Sequence, residues 1–249
     1  MKISFEGKRA VVCGGSRGIG RSIALALAEG GAAVSICARG AEGLQKTVAE
    51  LTRFGRKVHS APCDLADSAA IQRYIAEAAA ALGGIDILVN NASGFGMKDD
   101  EAGWAAGIGI DLMATVRASQ AATPHLEKSG KGAIVNISSI SGFGGSVRSA
   151  PYAAVKAAVN NYTMSQALAL TRQKIRVNAV APGSIEFPGG VWDQRKTTEP
   201  KLYDGTLRSI PWGRMGGPEE VARVVAFLAS DLAGWVTGQT IAVDGGQMQ

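Results

Sequence analysis

Seven strand-like runs recur along the chain, each separated from the next by a segment of helical character, and this alternation restricts the fold more than any other feature. The runs cover residues 9–13, 32–39, 57–64, 85–91, 132–139, 175–180 and 240–243. Strand, helix and strand in that order predict an α/β fold with a parallel, doubly wound sheet of about seven strands and helices on both faces. At 249 residues the chain suits one such domain, and a chain of this size buries roughly 70–75% of its unfolded surface. No repeat, low-complexity tract or linker divides it, so residues 1–249 read as a single domain.

The first run, Arg9-Ala-Val-Val-Cys13, leads into Gly14-Gly15-Ser16-Arg17-Gly18-Ile19-Gly20 and then into the helix-like Arg21-Ser-Ile-Ala-Leu-Ala-Leu-Ala28. Such a glycine turn lets backbone approach a pyrophosphate and aims the free N–H groups and positive pole of a helix at the anion. Its spacing, G-x-x-x-G-x-G, differs from the generic G-x-G-x-x-G fingerprint. Further on, Tyr152 and Lys156 are four residues apart and stand 13 and 17 residues after Ser139. On a helix, positions i and i+4 share a face, so phenol and ammonium point into one site. A nearby positive charge favours the phenolate, as proton exchange with an alcohol or ketone requires.

These segments resemble the short-chain dehydrogenase/reductase family, and the resemblance covers essentially the whole chain. Cys13-Gly-Gly-Ser-Arg-Gly-Ile-Gly20 is similar to the family's cofactor loop, with Cys13 in place of threonine. Asn90-Asn91-Ala92-Ser93 is similar to its Asn-Asn-Ala-Gly segment, Pro182-Gly183-Ser184-Ile185 to the stretch beside the nicotinamide, and Val236–Gly246 to the C-terminal strand of bacterial members. The resemblance implies a Rossmann-type domain in which Ser139, Tyr152 and Lys156 are catalytic. It also implies cofactor contacts from Gly14, Ser16, Arg17, Gly18, Ile19 and Gly20. Asp64 and Leu65 would lie near the adenine, Asn91 and Ala92 near the ribose, and Pro182, Gly183 and Ile185 near the nicotinamide, with Tyr152 and Lys156 touching the cofactor as well. Ligands of an open parallel sheet bind beyond the carboxyl ends of the strands, where strand order reverses. The glycine loop, Asp64, Asn91, Ser139 and Pro182 each follow or end a strand-like run, so all fall on that one edge.

The second run ends in Ala38-Arg39, where an acidic residue would favour NAD through the ribose 2′-hydroxyl. A guanidinium suits a 2′-phosphate through charge-assisted hydrogen bonds, and Arg17 offers a second, so NADP(H) is the expected cofactor. One departure touches the mechanism. Seven residues after Trp104 the family usually has an asparagine that holds a water linking the catalytic lysine to solvent; this chain has Asp111. A carboxylate facing Lys156 would accept the same hydrogen bond, but it would also favour the charged lysine and oppose phenolate formation.

Composition closes off other classes. The first residues, Met1-Lys-Ile-Ser-Phe-Glu-Gly-Lys-Arg, carry charges where a signal peptide needs an apolar stretch, and no run of about 18 apolar residues offers a membrane span, so a cytoplasmic protein is expected. Cys13, Cys37 and Cys63 are odd in number and read as reduced and buried; with only His59 and His125 beside them, no metal site is expected. The net charge of +5 comes without a basic run or nucleic-acid motif, so no nucleic-acid partner is expected. Residues 184–217, with Phe187, Trp192, Tyr203 and Trp212, read by resemblance as a substrate lid, and Phe187 stands where the family often has a threonine touching the cofactor. Arg148, Arg195, Lys196 and Lys201 are candidate contacts for an anionic substrate such as an acyl thioester. The implied activity is NADP(H)-dependent interconversion of a ketone and a secondary alcohol, with a 3-oxoacyl thioester as the default substrate. Enoyl or dienoyl reduction and a non-catalytic NADP-binding regulator are the alternatives. The resemblance also implies a homotetramer, which would bury the apolar stretches at 108–122 and 153–170.

Overall fold

The computed structural model describes residues 3–249; Met1 and Lys2, part of the charged N-terminal segment, lie outside the described residues. Seven strands form one sheet: β1 (Arg9–Cys13), β2 (Ala33–Ala38), β3 (Val58–Pro62), β4 (Ile87–Asn90), β5 (Ala133–Ile137), β6 (Arg176–Pro182) and β7 (Thr240–Val243). All neighbours pair in parallel, in the order β3-β2-β1-β4-β5-β6-β7. The order reverses between β1 and β4, which creates the crevice where such sheets bind ligands.

Nine α-helices accompany the strands among the described residues: α1 (Gly18–Glu29), α2 (Ala41–Thr52), α3 (Ser68–Leu82), α4 (Glu101–Ala106), α5 (Ala114–Ser129), α6 (Ala150–Leu170), α7 (Val191–Thr198), α8 (Pro200–Ser209) and α9 (Pro218–Ala229). Successive strand residues point to opposite faces, so each strand feeds two cores. Ala10, Val12, Val34, Ile36, Ile87 and Val89 join Ile23 and Leu27 of α1, Leu51 of α2 and Val221 and Val225 of α9. Val11, Cys37, Leu88 and Ile134 join Ile71 and Ile75 of α3 and Ala118 and Leu126 of α5. The sheet is therefore covered on both sides, as its parallel pairing requires.

A π-helical segment, Gly107–Met113, joins α4 to α5. Such segments often mark functional sites; this one carries the buried Asp111. Helices α7 and α8 stand outside the sheet sandwich on a small apolar cluster of their own: Tyr203, Ile210 and Met215, with Trp192 and Leu207 against them. Among the described residues no helix is long and apolar enough to cross a membrane.

Candidate active site

The glycine loop after β1 is shaped by three close approaches. Gly14 and Gly15 donate to the Cys37 carbonyl at 2.9 and 3.0 Å, which ties the loop to the end of β2. A Cβ on Gly20 would lie 2.0 Å from the Gly14 carbonyl oxygen and 2.4 Å from the Asn91 amide nitrogen, so only glycine fits there. Gly18 opens α1 with φ +51°, and no side chain caps the first turn of that helix. The uncapped N–H groups and the close backbone together fit a pyrophosphate. Asn91 props this cradle from the far side, its amide donating to the Gly14 carbonyl at 2.8 Å.

Arg17 and Arg39 are both exposed at the same edge. Among the described residues neither takes part in an ion pair, so both guanidinium groups remain available. Asp64 is exposed beyond β3, with one carboxylate oxygen accepting from the Ala66 amide at 3.0 Å. Leu65, by contrast, turns its side chain into the α3–α5 core, leaving only its backbone for a ligand. Cys13, Cys37 and Cys63 are free thiols, all buried. Burial pushes the Cys37 thiol well up, and the hydrogen bond with Cys37 does the same for Cys63, so neither acts as a nucleophile at neutral pH.

Ser139 follows β5 and is nearly buried, its Oγ accepting from the Ser141 amide at 3.1 Å. Its own proton is thus free to be donated. The short 3₁₀ turn Ile140–Phe143 lies against α6 so closely that a Cβ on Gly142 would be 2.7 Å from the Lys156 backbone carbon. That contact places the serine beside the helix carrying Tyr152 and Lys156. Lys156 is buried, donates to the Ile137 carbonyl at 2.9 Å, and holds its ammonium 5.5 Å from the Tyr152 ring centroid.

Asp111 meets Lys156 directly. The ammonium lies 3.0 Å from Asp111 Oδ1, with both side chains at most 3% exposed, so the pairing needs no water. The other carboxylate oxygen, Oδ2, accepts from the Gly94 amide at 2.8 Å. Burial pushes the Lys156 ammonium down; the Asp111 carboxylate, with Tyr152, more than reverses this and holds it above the ordinary lysine value.

Several supports of the site have no signal in local sequence spacing. Buried Asn90 on β4 donates to Ser119 of α5 at 3.0 Å and to Asn136 of β5 at 2.8 Å, and Asn136 donates to Thr163 of α6 at 3.0 Å. This polar ladder sets the height of α6, and with it Tyr152 and Lys156, over the sheet. Gln247, two residues from the C-terminus, accepts from the Ser184 amide at 2.9 Å and donates to its hydroxyl at 3.1 Å. It thereby holds the turn after Pro182 and Gly183, where Ile185 is buried and bridges Gly216. Phe187 packs its ring onto Gly18, close enough that a Cβ there would be 2.4 Å from it. Of the candidate anion contacts, Arg195 is paired with Glu199 and Lys196 with Glu186, each at 3.4 Å.

A family model described as enoyl-(acyl carrier protein) reductase matches residues 14–248, from the glycine loop to the C-terminus. The chain belongs to the short-chain dehydrogenase/reductase family. Family members of known activity match end to end. The (2S)-[(R)-hydroxy(phenyl)methyl]succinyl-CoA dehydrogenase subunit BbsD of Thauera aromatica is 36% identical, with 98% of each chain covered. The 3-oxoacyl-[acyl-carrier-protein] reductase FabG of Thermotoga maritima is 37% identical, covering 97% of this chain and 98% of its own. Among solved structures, a short-chain dehydrogenase of Burkholderia cenocepacia in complex with NADP superposes with a TM-score of 0.89 at 34% identity, over 98% of this chain and 99% of the other. As a short-chain dehydrogenase/reductase the chain is an oxidoreductase that uses a nicotinamide cofactor and acts between hydroxyl and carbonyl groups.

Proposed function

We propose that this chain is an NADP(H)-dependent ketone reductase, working in the cytoplasm on a 3-oxoacyl thioester or a related carbonyl compound, with Ser139, Tyr152 and Lys156 as its catalytic residues. The observation that carries the proposal is that a serine with a free proton, a phenol and a buried ammonium gather at the strand edge that also bears the glycine cradle. Exposed, unpaired Arg17 and Arg39 support the phosphorylated cofactor, since a 2′-phosphate gains charge-assisted hydrogen bonds from guanidinium groups. The 3-oxoacyl reductases among its relatives, and the thioester named for the Thauera subunit, support the substrate class.

Gly14, Ser16, Gly18, Ile19 and Gly20 would cradle the pyrophosphate, Arg17 and Arg39 the 2′-phosphate, Asp64 and backbone of Leu65 the adenine. Asn91, Ala92, Pro182, Gly183 and Ile185 would border the ribose and nicotinamide. Bound there, NADPH supplies the hydride. Ser139 donates its hydrogen bond to the carbonyl oxygen, and Tyr152 transfers its phenolic proton to that oxygen as negative charge develops on it. Lys156, with donors left over after Ile137, holds a ribose hydroxyl and sets a positive charge beside the phenol. The Asp111 carboxylate beside the ammonium keeps it charged. Residues 184–217, with α7 and α8 on their own small core, serve as the lid over a single catalytic domain.

Exposed Ile108 on the π-helical segment, with Met164 and Leu168 on α6, suits self-pairing of two copies and is the basis for a homotetramer. Enoyl reduction is the second reading, favoured by the description of the matching family model. NADPH consumption against a panel of 3-oxo and 2-enoyl thioesters separates the two. In the same assay Tyr152→Phe should keep cofactor affinity and lose about 10²–10⁴-fold in turnover, the usual contribution of a general acid–base group. Near-normal rates in that variant would remove Tyr152 from the chemistry.

A further inference from the structure

Phe95 is held in a conformation that bulky residues avoid. It sits in the left-handed region, φ +49°, five residues beyond the end of β4, with its side chain about half exposed. Strain of this kind persists where the surroundings over-determine it, and a half-exposed ring gains little from core packing in return. The surroundings here do over-determine it. The Phe95 amide donates to Ser93 Oγ at 3.1 Å, and the preceding Gly94 amide donates to the buried Asp111 carboxylate at 2.8 Å. The glycines on either side let the segment lie on helix backbone, where a Cβ would fall 2.6 Å from the Ala106 oxygen at Gly94 and 2.0 Å from the Gly103 oxygen at Gly96.

The Phe95 ring lies parallel to Tyr152, with an interplanar angle of 7° and centroids 6.3 Å apart. The half-exposed Phe95 ring thus stands in an offset stack beside the phenol ring, an aromatic neighbour of the group that meets the carbonyl. Phe143 and Val147, on the segment between Ser139 and Tyr152, are also exposed apolar side chains. A substituent on a carbonyl held by Tyr152 would find the Phe95 ring next to the phenol.

We propose that Phe95 is a specificity-determining residue, and that it selects carbonyl substrates bearing a planar apolar group, an aryl or conjugated substituent, on the reacting carbon. The inference rests on the ketone-reductase reading and deepens it by naming the substituent. Ring faces meeting in offset stacks are favoured over aliphatic contact, which is the source of the discrimination.

Ethyl benzoylacetate and ethyl acetoacetate test it, since the two 3-oxo esters differ only in phenyl against methyl on the reacting carbon. The wild-type protein should favour the phenyl ester, and Phe95→Leu should cut that preference in kcat/KM by about 3–10-fold, the range of an aromatic stacking contact. The readout is the ratio of kcat/KM for the two esters, which a uniform loss of activity does not move, and Phe95→Tyr should keep the preference. Saturation-transfer NMR of both esters with wild type and Phe95→Leu supplies a readout without turnover: phenyl protons should be saturated by the wild type and much less by the variant. Reduction of both esters with no phenyl preference in the wild type, or a preference that survives Phe95→Leu, overturns the inference and leaves the reductase reading standing. Phenyl saturation that depends on Phe95 without reduction of either ester supports the inference and overturns the reductase reading. Neither reduction nor phenyl saturation overturns the inference.

Discussion

Replacing Asp111 by asparagine removes the only carboxylate within 4 Å of the Lys156 ammonium among the described residues, and the structure fixes both the size and the pH dependence of the effect. At 3.0 Å, with an effective dielectric of about 20, the Coulomb attraction is roughly 5 kcal/mol. Breaking a buried pair by removing one partner costs about 3–5 kcal/mol, and asparagine keeps a dipole near the lysine, so a loss of about 2–4 kcal/mol at pH 7 is expected. In the wild type the folded-state lysine titrates above its ordinary value, so the pair's contribution is complete below the unfolded value of 10.5 and is lost as pH rises through the folded one. In the variant, burial is opposed only by Tyr152, and the folded value should fall below the wild-type one. The penalty is then complete below that lower value and diminishes as pH rises through it. Urea midpoints from pH 6 to 10 should therefore show a gap between the two proteins that is widest at the acid end and narrows steadily. In a Lys156→Met background the same asparagine substitution should cost much less, because the charge it stranded is gone. A pH-independent gap, or an equal cost in both backgrounds, would refute the pairing. In activity, losing a negative charge beside the phenol should move the lower limb of the oxidation pH profile, which reports the base, towards acid.

The other expectations are simpler. Arg39→Ala removes a charge-assisted contact worth about 1.5–3 kcal/mol, so NADPH should bind about 10–150-fold more weakly while NADH barely changes in fluorescence titrations; equal losses for both would show that Arg39 does not read the 2′-phosphate. Gly20→Ala places a Cβ 2.0 Å from the Gly14 oxygen, so calorimetry should find dinucleotide binding lost or the melting temperature lowered; normal values of both would mean the loop yields without cost. Sedimentation at micromolar concentration should give a four-copy assembly, and Leu168→Lys, on an 81% exposed site, should weaken it; a wild-type monomer would end the tetramer reading.

Much of this could be read before any coordinates. The alternation of strand-like and helical runs leaves few arrangements besides a parallel doubly wound sheet, and glycines at 14, 18 and 20 mark the turn between its first strand and helix. Tyr152 and Lys156 share a helix face because four residues make about one turn. These are local relations, and local spacing carries them. The direct pairing of Asp111 with Lys156 is not local. It joins the π-helical segment Gly107–Met113 to α6, two elements that meet only in the folded protein. The ladder from Asn90 through Asn136 to Thr163 is similarly hidden, since each asparagine looks like an interruption in an apolar strand until three elements close around it. Phe95 and Gln247 carry no local signal, because what fixes them is the packing of segments far apart in the chain. Sequence alone determined the scaffold and the chemical groups, whose spacing follows the geometry of a single element; only the tertiary structure decided which charge faces the lysine and which ring lies beside Tyr152, because those contacts exist only where separate elements cross.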